Sequence, residues 1–444
     1  MSFWSKLFSV RLTNDHSHKI VNILGMQFLL KRPKQELQQE CLKVQDRFKQ
    51  VVNALKTKNA INITFMVVRS AWFSSRPFLD YLLTQASSRY KAKVLIIPDF
   101  RFGVENARNV QQKCYEELTH QYGSDLVVLA PVSSQEDNID IKSFTDIMFC
   151  HLPYNGISHP KYCIENLIKL NILPVLVNYG YIRSKYDRIA ISTPIASKYW
   201  KIFVENQQNL LEYHKHQLIE GANCVVTGYL KMDHYAKAAT KRAPLKLKTI
   251  MIAPHHSLQG GYNATMHLAN FPKYADLFLQ LPQRYPDINW IFRPHPALFM
   301  CLAQKKFWGK AKVQDYIDKM KSIPNVKYSD SSDYFADFAA SDALIQDCGS
   351  FLVEYFYTRK PQLYLLKDQQ EISELFSDFG RSCLSKVYQA FNKEDIMRFI
   401  DDVVIKGQDV MLDVRERFAK DNVTTNYPNV SRVIEEYFNT IFKA

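Results

Sequence analysis

The feature that most constrains the fold of this chain is a repeated alternation of short apolar runs and amphipathic segments, beginning near residue 60. Each apolar run is rich in Val, Ile, Leu and Phe, which is typical of a strand buried on both faces. Strand followed by helix, repeated, predicts a parallel sheet covered by helices on both sides. In the first half the predicted strands are 60–68, 93–98, 125–130, 146–150 and 174–178, with helices at 77–89 and 107–122.

A basic polar stretch from Lys237 to Lys248 interrupts this pattern. The alternation then resumes, with predicted strands at 249–253, 288–293, 343–345 and 362–366 and helices at 273–285, 313–321 and 350–357. Because single hydrophobic cores stop growing at ~250 to 300 residues, a chain of 444 residues is expected to hold two domains.

The sequence therefore predicts an α/β protein with two Rossmann-like, doubly wound domains that face a central cleft. We expect a basic N-terminal arm and helix at 1–58, a first domain at 59–236, a linker at 237–248, and a second domain with C-terminal helices at 249–444. In open α/β sheets ligands bind beyond the carboxyl ends of the strands, so the site is expected at that edge.

The segment from Pro33 to Lys58 has apolar residues spaced by four and three, which predicts an amphipathic helix. Its apolar stripe consists of Leu37, Cys41, Val44, Phe48, Val51 and Leu55. The stripe is shorter than the ~3 to 4 heptads that indicate an independent coiled coil, so we expect it to pack against the rest of the chain.

The net charge of +13 is concentrated near the N-terminus. Residues 1–58 hold 11 Lys and Arg against 4 Asp and Glu, a net charge of +7. Interleaved with residues such as Trp4 and Phe28, this charge suits an anionic membrane surface. No nucleic-acid-binding motif accompanies it, so we expect no nucleic-acid partner. A solvated arm that binds nothing is the alternative.

Eight cysteines are scattered along the chain without Cys-x-x-Cys pairs or zinc-type spacing. The start of the chain does not resemble a secretory signal, and the apolar run from Ile20 to Leu30 is far shorter than the ~20 residues of a membrane helix. We therefore expect reduced thiols and a cytoplasmic protein, peripheral at the inner face of the cell membrane.

Three segments of the second half carry candidate site residues, and the first runs from Trp290 to Pro296. Here an apolar strand ends in Arg293 and His295, which alternate with prolines that restrict the backbone. An Arg fork suits phosphate oxygens, and a His can donate or shuttle a proton. The alternative is a structural ion pair for Arg293 and a turn hydrogen bond for His295.

The second segment, Ser341 to Ser350, predicts a buried strand, a turn of small residues and a helix start. Free N–H groups at a helix start favour anions, Gly349 allows close backbone approach, and Ser350 adds a hydroxyl donor. Glu354 lies on the same helical face as Ser350, placed to accept from ribose hydroxyls. Alternatively, Ser350 is an N-cap and Glu354 a first-turn acid.

The third segment, Ala253 to Ser257, directly follows a predicted strand. His255, His256 and Ser257 are placed there to contact a donor phosphate or an acceptor, or else belong to a solvated loop. Adjacent histidines without a nearby Asp, Glu or Cys are a poor metal-ligand set, and the chain has no Asp-x-Asp pair. We therefore expect no metal and no cofactor, with leaving-group charge neutralised by Arg, His and helix N-termini.

Together these segments resemble the CDP-glycerol glycerophosphotransferase family, enzymes of the teichoic-acid polymerase type with a GT-B fold. The similar stretches, in the family's order between about residues 220 and 370, are Thr227–Asp233, Ala253–Ser257, Arg293–Pro296 and Ser341–Leu366. Four motifs in order are more specific than any one of them. The stretch His18–Gly25 is similar to the leader of bacterial capsule and lipopolysaccharide transferases.

The resemblance implies that glycerol or ribitol phosphate moves from a CDP-activated donor to a hydroxyl of a bacterial surface-glycan precursor, which is glycan or lipid-linked, with release of CMP. An acceptor hydroxyl would attack the donor's β-phosphate in line. The catalytic set would be His295, Arg293 and His256. The donor-binding set would be His255, Ser257, Asp347, Gly349, Ser350 and Glu354.

This chain departs from the family at the position of the catalytic base. The family takes it from a His-Gly pair, but residues 178–180 of this chain read Asn-Tyr-Gly. Tyr179, with a reference pKa of ~10, is a poor base at neutral pH. Either another group such as His151, His159 or Asp187 takes that role, or the acceptor or the reaction differs. Two other functions stay open: a GT-B glycosyltransferase that uses a nucleotide sugar for capsule or lipopolysaccharide synthesis, and a catalytically inactive binding or scaffold protein.

Overall fold

The computed structural model describes residues 8–13, 15–23, 26–152, 155–240, 247–259, 266–331 and 333–443. The chain forms two compact units. The first runs to Tyr179 and also contains Arg188–Asp233 and Asn426–Ala444, and the second consists of Gly180–Asp187 and His234–Thr425. Each unit is therefore assembled from more than one stretch of the chain.

The strands, in chain order, are β1 Phe8–Leu12, β2 His18–Ile23, β3 Met26–Lys31, β4 Ile61–Val67, β5 Tyr90–Ile96, β6 Val127–Leu129, β7 Ile147–Cys150, β8 Leu173–Val177, β9 Lys201–Val204, β10 Cys224–Val226, β11 Thr249–Ala253, β12 Asn289–Phe292, β13 Val326–Tyr328, β14 Ala343–Gln346, β15 Gln362–Leu365 and β16 Tyr388–Ala390.

The α-helices are α1 Lys34–Lys56, α2 Arg76–Thr84, α3 Val104–Tyr122, α4 Ile164–Lys169, α5 Asp187–Ile191, α6 Pro194–Lys198, α7 Gln207–His216, α8 Asp233–Ala239, α9 Phe271–Arg284, α10 Leu298–Leu302, α11 Gly309–Ser322, α12 Phe335–Ala340, α13 Gly349–Glu354, α14 Gln369–Leu375, α15 Asp378–Leu384, α16 Lys393–Arg398, α17 Leu412–Phe418 and α18 Val430–Ile441. Short 3-10 helices occur at Ser70–Trp72, Phe100–Phe102, Ile141–Phe144, Pro160–Tyr162, Leu230–Met232 and Tyr355–Thr358, and π-helical turns at Phe399–Ile405 and Ala419–Val423.

The first unit is built on a seven-stranded parallel sheet in the order β10-β9-β8-β7-β4-β5-β6. The five strands predicted in this half are confirmed as β4 to β8. The sequence pattern does not predict β9 and β10, because runs of four and three residues carry too little periodicity. The strand order reverses between β4 and β7, which makes their carboxyl ends the topological switch point.

The N-terminal part of the first unit contains a separate antiparallel sheet, β1-β2-β3, followed by helix α1. The predicted helix is confirmed, and Leu37 and Cys41 of its stripe are buried in one cluster with Leu218 and Ile219. The sequence pattern did not indicate the three strands β1, β2 and β3 within the basic arm. None of the described helices combines the length and the apolar character needed to cross a lipid bilayer.

The C-terminal helix α18 belongs to the first unit, although the sequence pattern assigned it to the second domain. Its Phe438 is fully buried, and its ring packs against Phe78, Phe149 and Trp200 around the first sheet. Amphipathic periodicity shows that a helix has an apolar face but does not tell which sheet that face covers. The predicted domain limits therefore differ from the units at this end.

The second unit is built on a six-stranded parallel sheet in the order β13-β12-β11-β14-β15-β16. The four predicted strands are confirmed as β11, β12, β14 and β15, whereas the three-residue edge strands β13 and β16 were not indicated. Fully buried residues such as Ile250, Trp290, Phe278 and Ile345 form its core. The strand order reverses between β11 and β14, so their carboxyl ends are the switch point of this sheet.

Residues 180–187 also belong to the second unit. The Ser377 N–H donates to the Arg183 carbonyl oxygen, and the Lys185 N–H donates to the Leu375 carbonyl oxygen, both at 2.9 Å. Gly380 permits this contact, because a Cβ there would lie 2.0 Å from the Arg183 oxygen. Arg183 is thus fixed on the unit that carries the histidine motifs.

Replacing Phe438 by Ala is expected to lower the free energy of unfolding of the first unit by ~3 to 5 kcal/mol, because a fully buried ring is lost and leaves a cavity. Hydrogen-exchange mass spectrometry should show faster exchange in β4, β7 and β8 and unchanged protection in β11, β12 and β14. The control is Glu436→Ala, an exposed position on the same helix. Equal loss of protection in both sheets would contradict this assignment of α18.

Candidate functional site

Three histidines meet at the carboxyl edge of the second sheet. His255 and His256 follow β11, and His295 follows the adjacent strand β12. The ring centroids are 4.3 Å apart for His255 and His256, 5.3 Å for His255 and His295, and 4.0 Å for His256 and His295. The parallel register therefore joins two of the three motifs that the sequence singled out.

All three imidazoles have a pKa below the ordinary value. Burial, followed by the charges of His256, His295 and Arg183, holds the pKa of His255 well below its usual range. Burial lowers the pKa of His295 to about 3, with a further contribution from His256, and it also lowers the pKa of His256. The three rings are therefore neutral near pH 7.

The cluster is compact enough to hold one small ion. One nitrogen from each of the three histidines lies within 4.8 Å of the others. Proximity alone does not decide the sign of that ion, because a neutral imidazole offers a lone pair on one nitrogen and an N–H on the other.

Asp347, which follows β14, holds the histidine loop in place. It is fully buried, and its two carboxylate oxygens accept the backbone N–H groups of His255 and Asn270, each at 2.6 Å. Burial raises the pKa of Asp347 to about 7, against the opposing effect of these hydrogen bonds. The structure places Asp347 beneath the loop, where its oxygens are already engaged, rather than toward a donor.

Ser257 contacts the ring of His255. Its hydroxyl lies 2.8 Å from the His255 Nδ1 and accepts the Leu268 N–H at 3.0 Å. With 1% of its surface exposed, Ser257 is an internal support for the histidine and not a surface contact. The Gly260–Gly261 pair that follows this motif in the sequence lies outside the described residues.

Arg293 forms the structural ion pair that the sequence analysis gave as the alternative to phosphate binding. Its guanidinium donates to Asp337 at 2.7 Å and to the Ser329 hydroxyl at 2.8 Å, and it also contacts the Ser331 carbonyl oxygen. Asp337 in turn accepts from Lys327. Arg293 is therefore held in a buried ion pair with Asp337.

The guanidinium near the histidines belongs instead to Arg183, a residue that the sequence motifs did not indicate. Its charge contributes to the low pKa of His255. It is oriented by hydrogen bonds from NH1 to the Tyr181 carbonyl oxygen at 2.8 Å and to the Asp187 carboxylate at 3.2 Å. No sequence signal could have found it, because 180–187 precedes the second unit's main segment by about fifty residues.

The predicted helix start at Gly349 is short and lies under Arg183. Helix α13 spans six residues, and the Arg183 Nε is 2.8 Å from where a Gly349 Cβ would be. Ser350 is half-buried beside it. Glu354 is 1% exposed and accepts from the Tyr334 hydroxyl at 2.6 Å, so its carboxylate points into the unit rather than toward a ribose.

Two of the candidate bases lie in the first unit. His151 and His159 line an open pocket near the β4 and β7 switch point. The His151 Nδ1 bonds to the Met66 carbonyl at 3.0 Å, so it carries hydrogen, and its Nε2 accepts from the Ser75 hydroxyl at 2.5 Å. The His159 Nε2 bonds to the Val132 carbonyl at 3.0 Å, which leaves Nδ1 as its lone-pair nitrogen.

The other two positions are less suited to accept a proton. The Asp187 carboxylate already accepts from the Ser184 N–H and hydroxyl, both at 2.8 Å, and from Arg183. Tyr179 is 42% exposed, and its phenol has a high reference pKa.

Comparison with known proteins gives structural neighbours only, since no family model and no curated protein matches the chain in sequence. The wall teichoic acid polymerase TagF superposes with a TM-score of 0.56 at 12% identity, covering 92% of this chain and 98% of TagF. The UDP-GlcNAc 2-epimerase of Neisseria meningitidis, bound to UDP-GlcNAc, gives 0.55 at 13% identity, covering 85% of this chain and 99% of its own. MnaA of S. aureus, solved with UDP, gives 0.54 at 11% identity, covering 85% and 96%.

This chain has the GT-B fold. The predicted fold class of two parallel-sheet, Rossmann-like domains is confirmed. At 11 to 13% identity the likeness establishes the fold alone, so the chemistry has to be argued from the residues at the strand ends.

Gly349→Ala is expected to weaken pyrophosphate binding ~10- to 100-fold, because the new Cβ would displace the guanidinium of Arg183 and remove a charged hydrogen-bond donor. Calorimetric titration with pyrophosphate measures this loss. Ala favours a helix over Gly, so the helix itself should persist. Ser382→Ala, an exposed position on helix α15 of the same unit, is the control. Wild-type affinity in Gly349→Ala would contradict a role for Arg183.

Proposed function

We propose that this protein is a transferase that moves glycerol or ribitol phosphate from a CDP-activated donor to a hydroxyl of a bacterial surface-glycan precursor, releasing CMP. The observation that carries the proposal is the cluster of His255, His256 and His295 beside Arg183 at the carboxyl ends of the second sheet. This edge is where doubly wound sheets bind ligands.

A diphosphate suits the chemistry of this cluster. Arg183 supplies a permanent positive charge, and neutral imidazoles supply directional N–H donors from a buried, low-dielectric position. Groups of this kind stabilise charge that develops on phosphate oxygens during transfer. Arg293, which is paired with Asp337, is not assigned to the donor.

In the proposed reaction an acceptor hydroxyl oxygen attacks the donor's β-phosphorus. The new P–O bond forms as the bond from that phosphorus to the bridging oxygen breaks, and CMP leaves with the electron pair. The hydroxyl proton passes to a base. The His295 and His255 rings, with Arg183, would hold the pyrophosphate oxygens through this step.

Of the two histidines that line the pocket of the first unit, His159 has the ring nitrogen better suited to accept a proton. Its Nδ1 keeps a lone pair, whereas His151 uses its Nε2 to accept from Ser75. His159 also lines the pocket at the switch point of the first unit, a position suited to an acceptor.

The neighbours support a nucleotide donor without choosing between two classes. TagF is a wall teichoic acid polymerase and has also been solved after a soak with CDPG, which favours the CDP-polyol donor. The epimerase neighbours bind UDP-GlcNAc or UDP, which favours the second candidate, a glycosyltransferase that uses a nucleotide sugar for capsule or lipopolysaccharide synthesis.

A donor screen separates the two candidates. With CDP-glycerol, CDP-ribitol and common nucleotide sugars, we expect release of CMP from a CDP-polyol in the presence of a glycan acceptor, detected by chromatography. His295→Ala should lower the rate at least ~100-fold, since an electrostatic contact in the transition state is lost. Release of a nucleoside diphosphate from a sugar donor would support the glycosyltransferase, and binding without turnover of any donor would support a scaffold.

We also propose that the N-terminal sheet contacts an anionic membrane surface. Its edge strand β3 exposes Phe28, Leu29 and Leu30 by 44%, 62% and 52%. In the antiparallel register Lys19 lies opposite Leu30, so a basic residue flanks the apolar ones. Apolar contact with the lipid boundary and attraction of Lys to anionic headgroups would act together, with the protein peripheral at the inner membrane face.

Vesicle flotation tests this contact. We expect binding to vesicles that contain phosphatidylglycerol and weak binding to phosphatidylcholine alone. Phe28→Ser with Leu30→Ser should lower vesicle binding ~10-fold or more, because two apolar side chains are removed from the lipid boundary. The control is Leu211→Ser, an exposed apolar position on α7. Equal vesicle binding by the double variant and the control would contradict the assignment.

A further inference from the structure

The hydrogens on two rings of the histidine cluster are fixed by the backbone. The Ser257 N–H donates to the His255 Nδ1 at 3.3 Å, and the Ala297 N–H donates to the His295 Nδ1 at 3.1 Å. A backbone N–H can only donate, so each Nδ1 must be the lone-pair nitrogen. In a neutral imidazole the hydrogen then lies on Nε2.

The hydroxyl of Ser257 strengthens this arrangement at His255. It accepts the Leu268 N–H at 3.0 Å and lies 2.8 Å from the His255 Nδ1. Because that nitrogen presents a lone pair, the hydroxyl must donate its hydrogen to it. Ser257 is buried, so water does not compete for either bond.

We propose that Ser257 is a positioning residue which, with the Ala297 backbone N–H, fixes His255 and His295 as tautomers that carry hydrogen on Nε2. The cluster then binds phosphate oxygens through neutral N–H donors and disfavours a divalent cation. The phosphate part rests on the proposed function. The tautomers themselves rest only on the hydrogen bonds.

The same bonds decide between an anion and a metal ion. A histidine that ligates a metal almost always donates its other N–H to a carbonyl or carboxylate oxygen. Here the other nitrogen of both rings accepts instead. To bind a cation through Nε2, each ring would have to move its hydrogen to Nδ1, where it would face the N–H of Ser257 or Ala297. The 4.8 Å grouping of nitrogens therefore suits an oxyanion, which accepts hydrogen bonds.

The environment of His256 also supports an anion site. Its ring stacks on His295 with centroids 4.0 Å apart and an interplanar angle of 28°. Its Nδ1 is buried and has no hydrogen-bond partner within the part of the chain that the structure describes. Buried polar atoms of this kind are rare in folded proteins and commonly belong to functional sites. A bound phosphate would give it one.

The rings also keep this form near neutral pH. Burial lowers the pKa of all three histidines, that of His295 to about 3. The Nε2 donors are therefore present at pH 6 to 8 without protonation of the ring.

The direct test is the tautomer of each ring in the full chain with ¹⁵N-labelled histidine. Long-range ¹H–¹⁵N correlation spectra should show His255 and His295 as neutral rings with hydrogen on Nε2, assigned by loss of each signal in His255→Gln and His295→Gln. Wild-type rings with hydrogen on Nδ1 would overturn the proposal. Ser257→Ala keeps the longer backbone N–H bond but loses the shorter hydroxyl bond to Nδ1, so a minor population of the other tautomer should appear at His255. Ser257→Thr should restore the wild-type spectrum.

A matched pair of substitutions tests the ligand. His295→Asn keeps an acceptor near the Nδ1 position but loses the Nε2 donor, whereas His295→Gln places an amide N–H near the Nε2 position. In calorimetry with pyrophosphate, we expect His295→Gln to bind at least ~5-fold more tightly than His295→Asn, and Ser257→Ala to lose ~3- to 10-fold, the effect of one hydrogen bond. Wild-type affinity should be the same with and without EDTA. Stoichiometric Zn²⁺ that survives dialysis, or pyrophosphate binding abolished by EDTA, would overturn the proposal.

The outcomes separate this inference from the proposed function. Tautomers and pyrophosphate affinity as expected, with no CMP released from any CDP-polyol, would leave the inference standing and reject the transfer reaction. Expected tautomers without pyrophosphate binding would overturn the ligand assignment whatever donor the enzyme uses.

Discussion

The second unit's site depends on the two hydrogen bonds that the buried Asp347 carboxylate accepts. One oxygen holds the His255 N–H at the end of β11, and the other holds the Asn270 N–H at the start of helix α9. Both hydrogen bonds are 2.6 Å long, and both are buried with the carboxyl group that accepts them. Asp347 thus ties two strand ends and a helix together, and the histidine loop takes its shape from this anchor.

The three histidines held by Asp347 would bind an anion differently from a patch of lysines. Lysines would attract any anion with a mobile point charge, whereas neutral rings with fixed Nε2 hydrogens are directional and tolerate burial without a large desolvation cost. Arg183 adds one permanent charge, oriented by Asp187 and the Tyr181 carbonyl. This combination suits a phosphate whose oxygens must be placed, since donor directions are set before the ligand arrives.

The site was partly predictable from the sequence. His255, His256 and His295 stand out because they follow apolar strands, and parallel neighbours bring strand ends to one edge. Arg293 stands out for the same reason, yet its guanidinium pairs with Asp337, because burial of a charge requires a partner and Asp337 lies within reach. Arg183 could not be found, since its place near the histidines comes from backbone bonds between residues 180–187 and the segment around Ser377.

The sequence by itself determined the strand and helix rhythm of two parallel sheets, the apolar stripe of α1, and the clustering of histidines at one edge. These features are local, or follow from the register of adjacent strands, so periodicity encodes them. Only the tertiary structure decided that α18 joins the first unit, that Arg183 rather than Arg293 stands by the histidines, and which ring nitrogens carry hydrogen. Each of these depends on contacts between residues far apart in the chain, whose partners no local pattern specifies.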